Sequence, residues 1–305
     1  EQRSQDAGFG GRGQVAQPAA TDATATESYK GMKAGADLVV NTGTFTINSA
    51  DDAVHSNGNA AINGGVFEVA TGDDGVHADG DLTVHADITI STCYEGLEGG
   101  NVTIDGGNIG IASSDDGLNA AGGSDETTQG MFGQDRFSGG GNNTITINDG
   151  TINMLCGGDG VDSNGDFNMA GGRVVMLISS SPDNGGVDCD GTFTATGGAI
   201  VYGGTGTGSN PGGNSTQSYV YFNNGVAAGT EVTLRRDGQT ILSFTPAIDC
   251  QHIAISSPDI VSGNTHSLYS GSSEVASATA GTGGGDMMGR GGMPGGGMPG
   301  GKPQN

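Results

Sequence analysis

Acidic side chains recur at a fixed interval in the first half of this chain, and their type and spacing could bind metal ions. One acidic phrase occurs four times, as SADDAVHS at 49–56, TGDDGVHA at 71–78, TCYEGLEG at 92–99 and SSDDGLNA at 113–120. The acidic residues Asp52, Asp74, Glu95 and Asp116 are 22, 21 and 21 residues apart. Such a period is typical of a solenoid, in which each repeat buries its face only against its neighbours.

The elements that carry this phrase are predicted to be short strands. Apolar residues follow five and seven residues after each of Val40, Ile62, Ile104, Ile147, Met169 and Ala195. Period-two alternation indicates strands, and the Asn/Gly pairs between them favour tight corners. No segment fits a helical period. The sequence therefore predicts an all-β protein, a parallel β-helix with three short strands in each 21–22-residue coil.

Four further segments complete the predicted organisation around a β-helix at 29–205. Residues 1–28 form a low-complexity N-terminal arm. The interval between Leu118 and Val161 is two periods, so an inserted loop is expected at about 122–142, leaving the helix at an acidic turn. Residues 206–275 are predicted to be a linker and an antiparallel β-rich cap, and 276–305 a Gly/Met/Pro-rich tail.

The composition limits the possible partners. The 305 residues include 62 Gly and no Trp, and 34 acidic against 10 basic residues give a net charge of -24. This charge argues against nucleic acids and anionic membranes and favours cations. No apolar run is long enough to span a membrane, and the start at Glu1 predicts a processed, secreted, extracellular protein.

Four cysteines are compatible with two states. Cys93, Cys156, Cys189 and Cys250 form no CxxC motif. In a secreted chain they predict two disulfides with three possible pairings, and the equal alternative is four buried thiols.

Stacked coils would align the acidic residues in columns about 4.8 Å apart. At that distance two carboxylates repel by roughly 3–4 kcal/mol at an effective dielectric of ~20. Calcium binds oxygen at about 2.4 Å, so one ion fits between two rungs, whereas Mg²⁺ fits less well. The predicted Ca²⁺ ligands are Asp51, Asp52, Asp73, Asp74, Glu95, Glu98, Asp115, Asp116, Asp159 and Asp162.

Two other interpretations of these residues stay open. Asp and Gly are also ordinary turn formers. His55 and His77 would stack and could bind Zn²⁺, but without a clear third ligand a solvated stack is favoured.

No GxSxG motif or Ser/His/Asp set is brought together by the period, and acidic pairs on every coil favour binding over glycoside hydrolysis. The chain is therefore expected not to be an enzyme.

Several ten-residue phrases, in order, resemble a known bacterial family. They include SADDAVHSNG, TGDDGVHADG, YEGLEGGNVTIDGG, SSDDGLNAAGG and GGDGVDSNGDFNMAGG, together with the C-terminal TILSFTPAIDCQHIAISS. The chain is similar over about 29–275 to secreted carbohydrate-binding β-helix proteins that bind cellulose and acidic sugars and share the fold of calcium-dependent pectate lyases. The resemblance implies a right-handed β-helix, Ca²⁺ in the acidic turns and binding of pectin-like polyuronides without cleavage.

Three functions follow from these observations. The first is calcium-dependent binding of acidic polysaccharide. The second is a structural subunit of a filament or surface layer at the cell surface, a homopolymer held through the terminal arms and the solenoid ends. The third is a polysaccharide lyase, disfavoured because the only lysines are Lys30, Lys33 and Lys302 and related lyases use a Lys or Arg base.

Overall fold

The protein is a parallel β-helix of seven coils that is closed at its C-terminal end by antiparallel strands. The computed structural model describes residues 28–121, 142–179, 184–205 and 217–282, which contain strands and turns and no helix. None of these residues builds a helix long and apolar enough to cross a bilayer. The predicted fold class is confirmed.

Each coil has three strand segments, as the sequence predicted. In coils 3 and 4 the first two segments run together into single ten-residue strands. The strands of the β-helix are β1 Met32–Ala34, β2 Leu38–Val40, β3 Thr44–Ser49, β4 Val54–Ser56, β5 Ala60–Ile62, β6 Val66–Thr71, β7 Val76–His85, β8 Asp87–Cys93, β9 Leu97–Gly106, β10 Asn108–Ser113, β11 Leu118–Ala120, β12 Ile145–Ile147, β13 Thr151–Cys156, β14 Val161–Ser163, β15 Phe167–Met169, β16 Arg173–Ile178, β17 Val187–Cys189, β18 Phe193–Ala195 and β19 Ala199–Gly204.

Stacked aliphatic side chains form the core of the β-helix. One column of parallel partners runs through all seven coils and consists of Val40, Ile62, Val84, Ile104, Ile147, Met169 and Ala195. The partners five and seven residues later, such as Phe67 and Val69, are buried as well. Burial of each large apolar side chain contributes about 1.5–3 kcal/mol, so the repeated pattern fixes the register of the coils.

The 43-residue interval between Leu118 and Val161 corresponds to one coil of the β-helix plus an inserted segment. Leu118 pairs with Val161, and Val102 pairs with Ile145, so strands 43 residues apart lie on adjacent coils. The predicted loop at about 122–142 lies almost wholly outside the described residues. Its predicted exit at the acidic turn is wrong: the three-residue strand β11 separates that turn from the insertion, because these residues pair with both neighbouring coils.

Antiparallel strands cover the C-terminal end of the helix. The cap strands are β20 Ser218–Phe222, β21 Val232–Arg236, β22 Gln239–Phe244, β23 His252–Ser256, β24 Thr265–Ser270, β25 Ser273–Thr279 and β26 Gly281–Thr282. β23 pairs with the last strand of the helix, β19, and so extends the 10-stranded sheet to which β19 belongs. A four-stranded sheet ordered β22-β21-β24-β25 packs against this sheet, and a second apolar core lies between the two.

The cap therefore extends beyond residue 275, where the sequence analysis placed its end. Ser273–Thr279 pairs along its length with β24. Apart from their innermost positions, the arm predicted at 1–28 and the tail predicted at 276–305 lie outside the described residues.

The four cysteines are buried thiols rather than disulfides. Burial raises the pKa of Cys93 and of Cys156 to about 12. These thiols are therefore inert packing groups near neutral pH.

Candidate cation-binding columns and an adjacent groove

The structure places five acidic residues, four of them buried and one partly buried, in one stack, here called the acidic column. Its members are Asp52, Asp74, Glu95, Asp116 and Asp159, one from each of five successive coils. The backbone N–H of Asp74 donates to Asp52 Oδ1 at 3.2 Å, and the N–H of Asp159 donates to Asp116 Oδ1 at 2.6 Å. The carboxylates are therefore aligned by hydrogen bonds between coils as well as by the strand register.

A second stack, the outer column, lies on the first strand of each coil, three residues after the acidic column. Parallel pairing aligns Lys33, His55, His77, Glu98, Asn119, Asp162 and Asp188. This is the column that the period predicted. It brings Glu98 and Asp162 beside the acidic column, where the sequence analysis expected them.

The third predicted stack contains a tyrosine that the sequence analysis missed. Asp73 and Asp115 belong to it, and Tyr94 lies between them, bonded to each through the backbone at 2.8 and 3.0 Å. Asp51 begins the same stack. The hydrogen bond to Asp115 is the main cause that raises the pKa of Tyr94. The signal was present, because Tyr94 occupies the first acidic position of its own copy of the repeated phrase.

Basic side chains neutralise the N-terminal end of the acidic column. Lys30 Nζ lies 3.0 Å from Asp51 Oδ1 and also contacts Asp52 Oδ2, and its side chain is buried. His55 Nδ1 lies 2.7 Å from Asp52 Oδ2. Burial opposes ionisation of Asp52, but the hydrogen bonds from His55 and Lys30 outweigh it and lower its pKa to about 2.

Later in the column the carboxylates face one another without such a partner. No salt bridge joins Glu95, Asp116 or Asp159 to a basic side chain within the described ranges. Burial, followed by the charges of neighbouring carboxylates, raises the pKa of Glu95 to about 10 and that of Asp116 to about 8. Burial is also the main cause that raises the pKa of Asp159 to about 7.

The histidine pair differs from its prediction in one respect. A solvated stack was expected, but both rings are only 2% exposed. The structure also supplies the missing third ligands: Asp52 lies with both rings in one cluster, and Asp74 and Glu98 lie with His77 in another, with ligand atoms within 4.8 Å of one another. The sequence pattern alone did not reveal the burial of these rings.

A hydroxyl-lined groove of about 420 Å³ lies beside the third stack, where the long strands end. Ser91, Ser114 and Ser179 donate their hydroxyl hydrogens to backbone carbonyls at 2.9–3.2 Å. Their oxygen lone pairs can therefore accept hydrogen bonds from a ligand. Tyr94, with 48% of its surface exposed, is adjacent in sequence to the lining residues Thr92 and Cys93.

The comparisons with known proteins point to carbohydrate. A family described as carbohydrate-binding domain-containing proteins matches residues 8–75, which include the first two coils of the β-helix. No curated protein matches the chain. No solved structure matches it either. The part of the chain that matches carries Lys30, Asp51, Asp52, His55 and Asp74.

Proposed function

We propose that the protein is a non-catalytic, extracellular carbohydrate-binding protein that holds an acidic polysaccharide through bound Ca²⁺. One observation carries the calcium part: Glu95, Asp116 and Asp159 are stacked carboxylates, the first two buried and the third partly so, without a basic partner among the described residues. Buried charges are normally paired or bound to metal. The family match at residues 8–75 supports the carbohydrate part.

The donor atoms at this end of the columns fit calcium. Glu95, Asp116 and Asp159 offer oxygen, as do Asp162 and Asp188 of the outer column, and hard cations such as Ca²⁺ prefer such ligands. At the N-terminal end of the acidic column a cation already occupies a comparable position, because the ammonium group of Lys30 bridges Asp51 and Asp52. A positive charge between adjacent carboxylates is thus already part of this architecture.

The groove beside Tyr94 is the proposed sugar-binding surface. Its serine oxygens would accept hydrogen bonds from sugar hydroxyls, and the exposed Tyr94 ring would pack against a sugar face. A protein of net charge -24 repels a polyuronide, so bound cations are needed to bridge the two. A sugar carboxylate would then complete the calcium coordination at the edge of the columns.

The experiment measures binding to polygalacturonate and to neutral cellulose in calcium and in EDTA. Wild type should bind polygalacturonate in calcium only. The double variant Asp116→Asn, Asp159→Asn should lose that binding, and Tyr94→Ala should weaken it. Asp149→Asn is the matched control, because Asp149 is exposed and lies outside the columns. Retained binding in EDTA, or equal binding by the double variant and this control, would contradict the proposal.

A homopolymer is the second candidate function. Strand β23 already pairs with the last strand of the helix, so head-to-tail stacking cannot use that edge. Strands β17 and β18 at the same end pair with no further strand among the described residues, so assembly could use their edges as well as the terminal arms that the low-complexity ends of the sequence predict. Deletion of 283–305 should abolish assembly in sedimentation experiments, and unchanged assembly would eliminate this candidate.

A further inference from the structure

The histidines of coils 2 and 3 form a second ligand set that differs in chemistry from the rest of the columns. The rings of His55 and His77 are stacked with centroids 4.9 Å apart and planes inclined by 31°. His55 Nδ1 lies 2.7 Å from Asp52 Oδ2. His77 Nδ1 lies 2.6 Å from Glu98 Oε2. Each ring therefore directs Nδ1 toward a carboxylate of the columns.

The opposite ring nitrogens converge on Asp79, which belongs to neither column. Asp79 Oδ1 lies 3.3 Å from His77 Nε2 and 4.0 Å from His55 Nε2. This oxygen is buried and accepts no hydrogen bond from the described residues. The other oxygen of Asp79 accepts a hydrogen bond from Asn57 at 3.4 Å.

Many metal-bound histidines have this arrangement, in which the ring nitrogen that does not bind the metal donates its hydrogen to a carboxylate. A carboxylate that accepts the Nδ1 hydrogen fixes the tautomer in which Nε2 presents its lone pair. Asp79 Oδ1 is a buried carboxylate oxygen that accepts no hydrogen bond from the described residues, which is unfavourable. A metal ion bound by this oxygen and by both Nε2 atoms removes this cost.

We propose that His55 Nε2, His77 Nε2 and Asp79 Oδ1 bind one divalent transition-metal ion of the zinc type, distinct from the proposed calcium ions. Zn²⁺ binds nitrogen and oxygen at about 2.0–2.2 Å in a tetrahedron, which places ligand atoms roughly 3.3 Å apart. The distance of 3.3 Å between His77 Nε2 and Asp79 Oδ1 already has this value, and the 4.0 Å between His55 Nε2 and Asp79 Oδ1 is longer, so His55 must move toward the ion. Water supplies the fourth ligand.

The test titrates the chelator-treated full chain with Zn²⁺ by calorimetry and with Co²⁺ by absorption, both in excess Ca²⁺. Wild type should bind one Zn²⁺ per chain and give the visible bands of tetrahedral Co²⁺. Asp79→Asn and His77→Gln should each weaken Zn²⁺ by at least the roughly 10–100-fold that loss of an outer-shell partner costs. His85→Gln, which changes an exposed histidine, should bind as wild type does.

Two controls separate this site from the calcium proposal and from misfolding. Asp116→Asn, Asp159→Asn leaves all three ligands in place and should retain Zn²⁺ affinity even if calcium binding is lost. Asp79→Asn is nearly isosteric, and its unfolding temperature in EDTA should match that of wild type. Absence of Zn²⁺ binding by wild type, or unchanged affinity in Asp79→Asn, would overturn the proposal.

Discussion

At the scale of single residues, neighbouring groups decide how each carboxylate of the acidic column is neutralised. Asp52 is fully buried yet strongly acidic, because hydrogen bonds from His55 and Lys30 and the positive charge of Lys30 outweigh the effect of burial. Asp116 is almost as buried, and after burial the charges that raise its pKa most are those of Asp162 and Asp115. The same side chain at equivalent positions of the repeat therefore has an internal cation as its partner in one coil, and under our proposal it has an external cation in another.

Lys30 should be essential for the stability of the first coils. Lys30→Met leaves Asp51 and Asp52 without their ammonium partner and should lower the free energy of unfolding by about 3 kcal/mol, as loss of one partner of a buried ion pair does. Urea denaturation measures this loss. Adding Asp52→Asn should restore part of it in a double-mutant cycle. A loss below about 1 kcal/mol would show that the ion pair is unimportant.

In the absence of metal, stability should fall as the pH rises. The pKa of Asp159 is raised to about 7 and that of Asp116 to about 8, above the ordinary value of 3.8. A raised carboxyl pKa in the folded state stabilises the protein in acid, and this contribution is lost between about pH 4 and pH 8. Thermal melts in EDTA should therefore show a lower Tm at pH 8 than at pH 5.

Calcium should abolish or reverse this trend, because the ion competes with protons for the same oxygens. The double variant Asp116→Asn, Asp159→Asn should show a weaker pH dependence in EDTA than wild type. A Tm that rises from pH 5 to pH 8 in EDTA would contradict the description of these carboxylates as unneutralised.

At the scale of elements, the coil corners set the alignment of the columns. Gly107 has a φ of 96°, and a Cβ there would lie 2.0 Å from the carbonyl oxygen of Ala86 on the preceding coil. The coils approach each other so closely at this corner that only glycine fits. Gly110, three residues later, has no heavy atom within 4 Å of an added Cβ.

These two glycines form a matched pair for mutagenesis. Gly107→Ala should destabilise the protein by about 2 kcal/mol or more in urea unfolding, because it adds both a strained φ and a contact with the neighbouring coil. Gly110→Ala should change stability by much less. Equal effects of the two substitutions would show that the corner does not determine the spacing of the coils.

The repeat made the strands and columns predictable, whereas contacts between turns were not. The 21–22-residue period alone aligned Asp52 with Asp74 and His55 with His77, and the structure has that register. The exit of the insertion after Leu118–Ala120 was missed because a three-residue strand has almost no pattern of its own. Asp79 was overlooked because it lies outside the repeated acidic phrase, at an irregularity in the pairing of strand β7.

At the scale of the whole molecule, the charge of -24 and the repeated carboxylates make cations part of the proposed function. The cap closes one end of the helix, and the groove and columns run along its side. An extended polysaccharide suits such a surface, because equivalent groups repeat at the spacing of the coils. The histidine end and the oxygen end of the columns would then bind different metals on one continuous face.

The most direct test of the central claim measures Ca²⁺ binding and thermal unfolding of the chelated chain in the same buffer. Wild type should bind calcium and gain stability, by about 2.7 kcal/mol when free calcium is a hundredfold above the dissociation constant. Asp149→Asn should behave in the same way, and Asp116→Asn, Asp159→Asn should lose both the binding and the gain. Absence of calcium binding by wild type, or an undiminished gain in the double variant, would contradict the account.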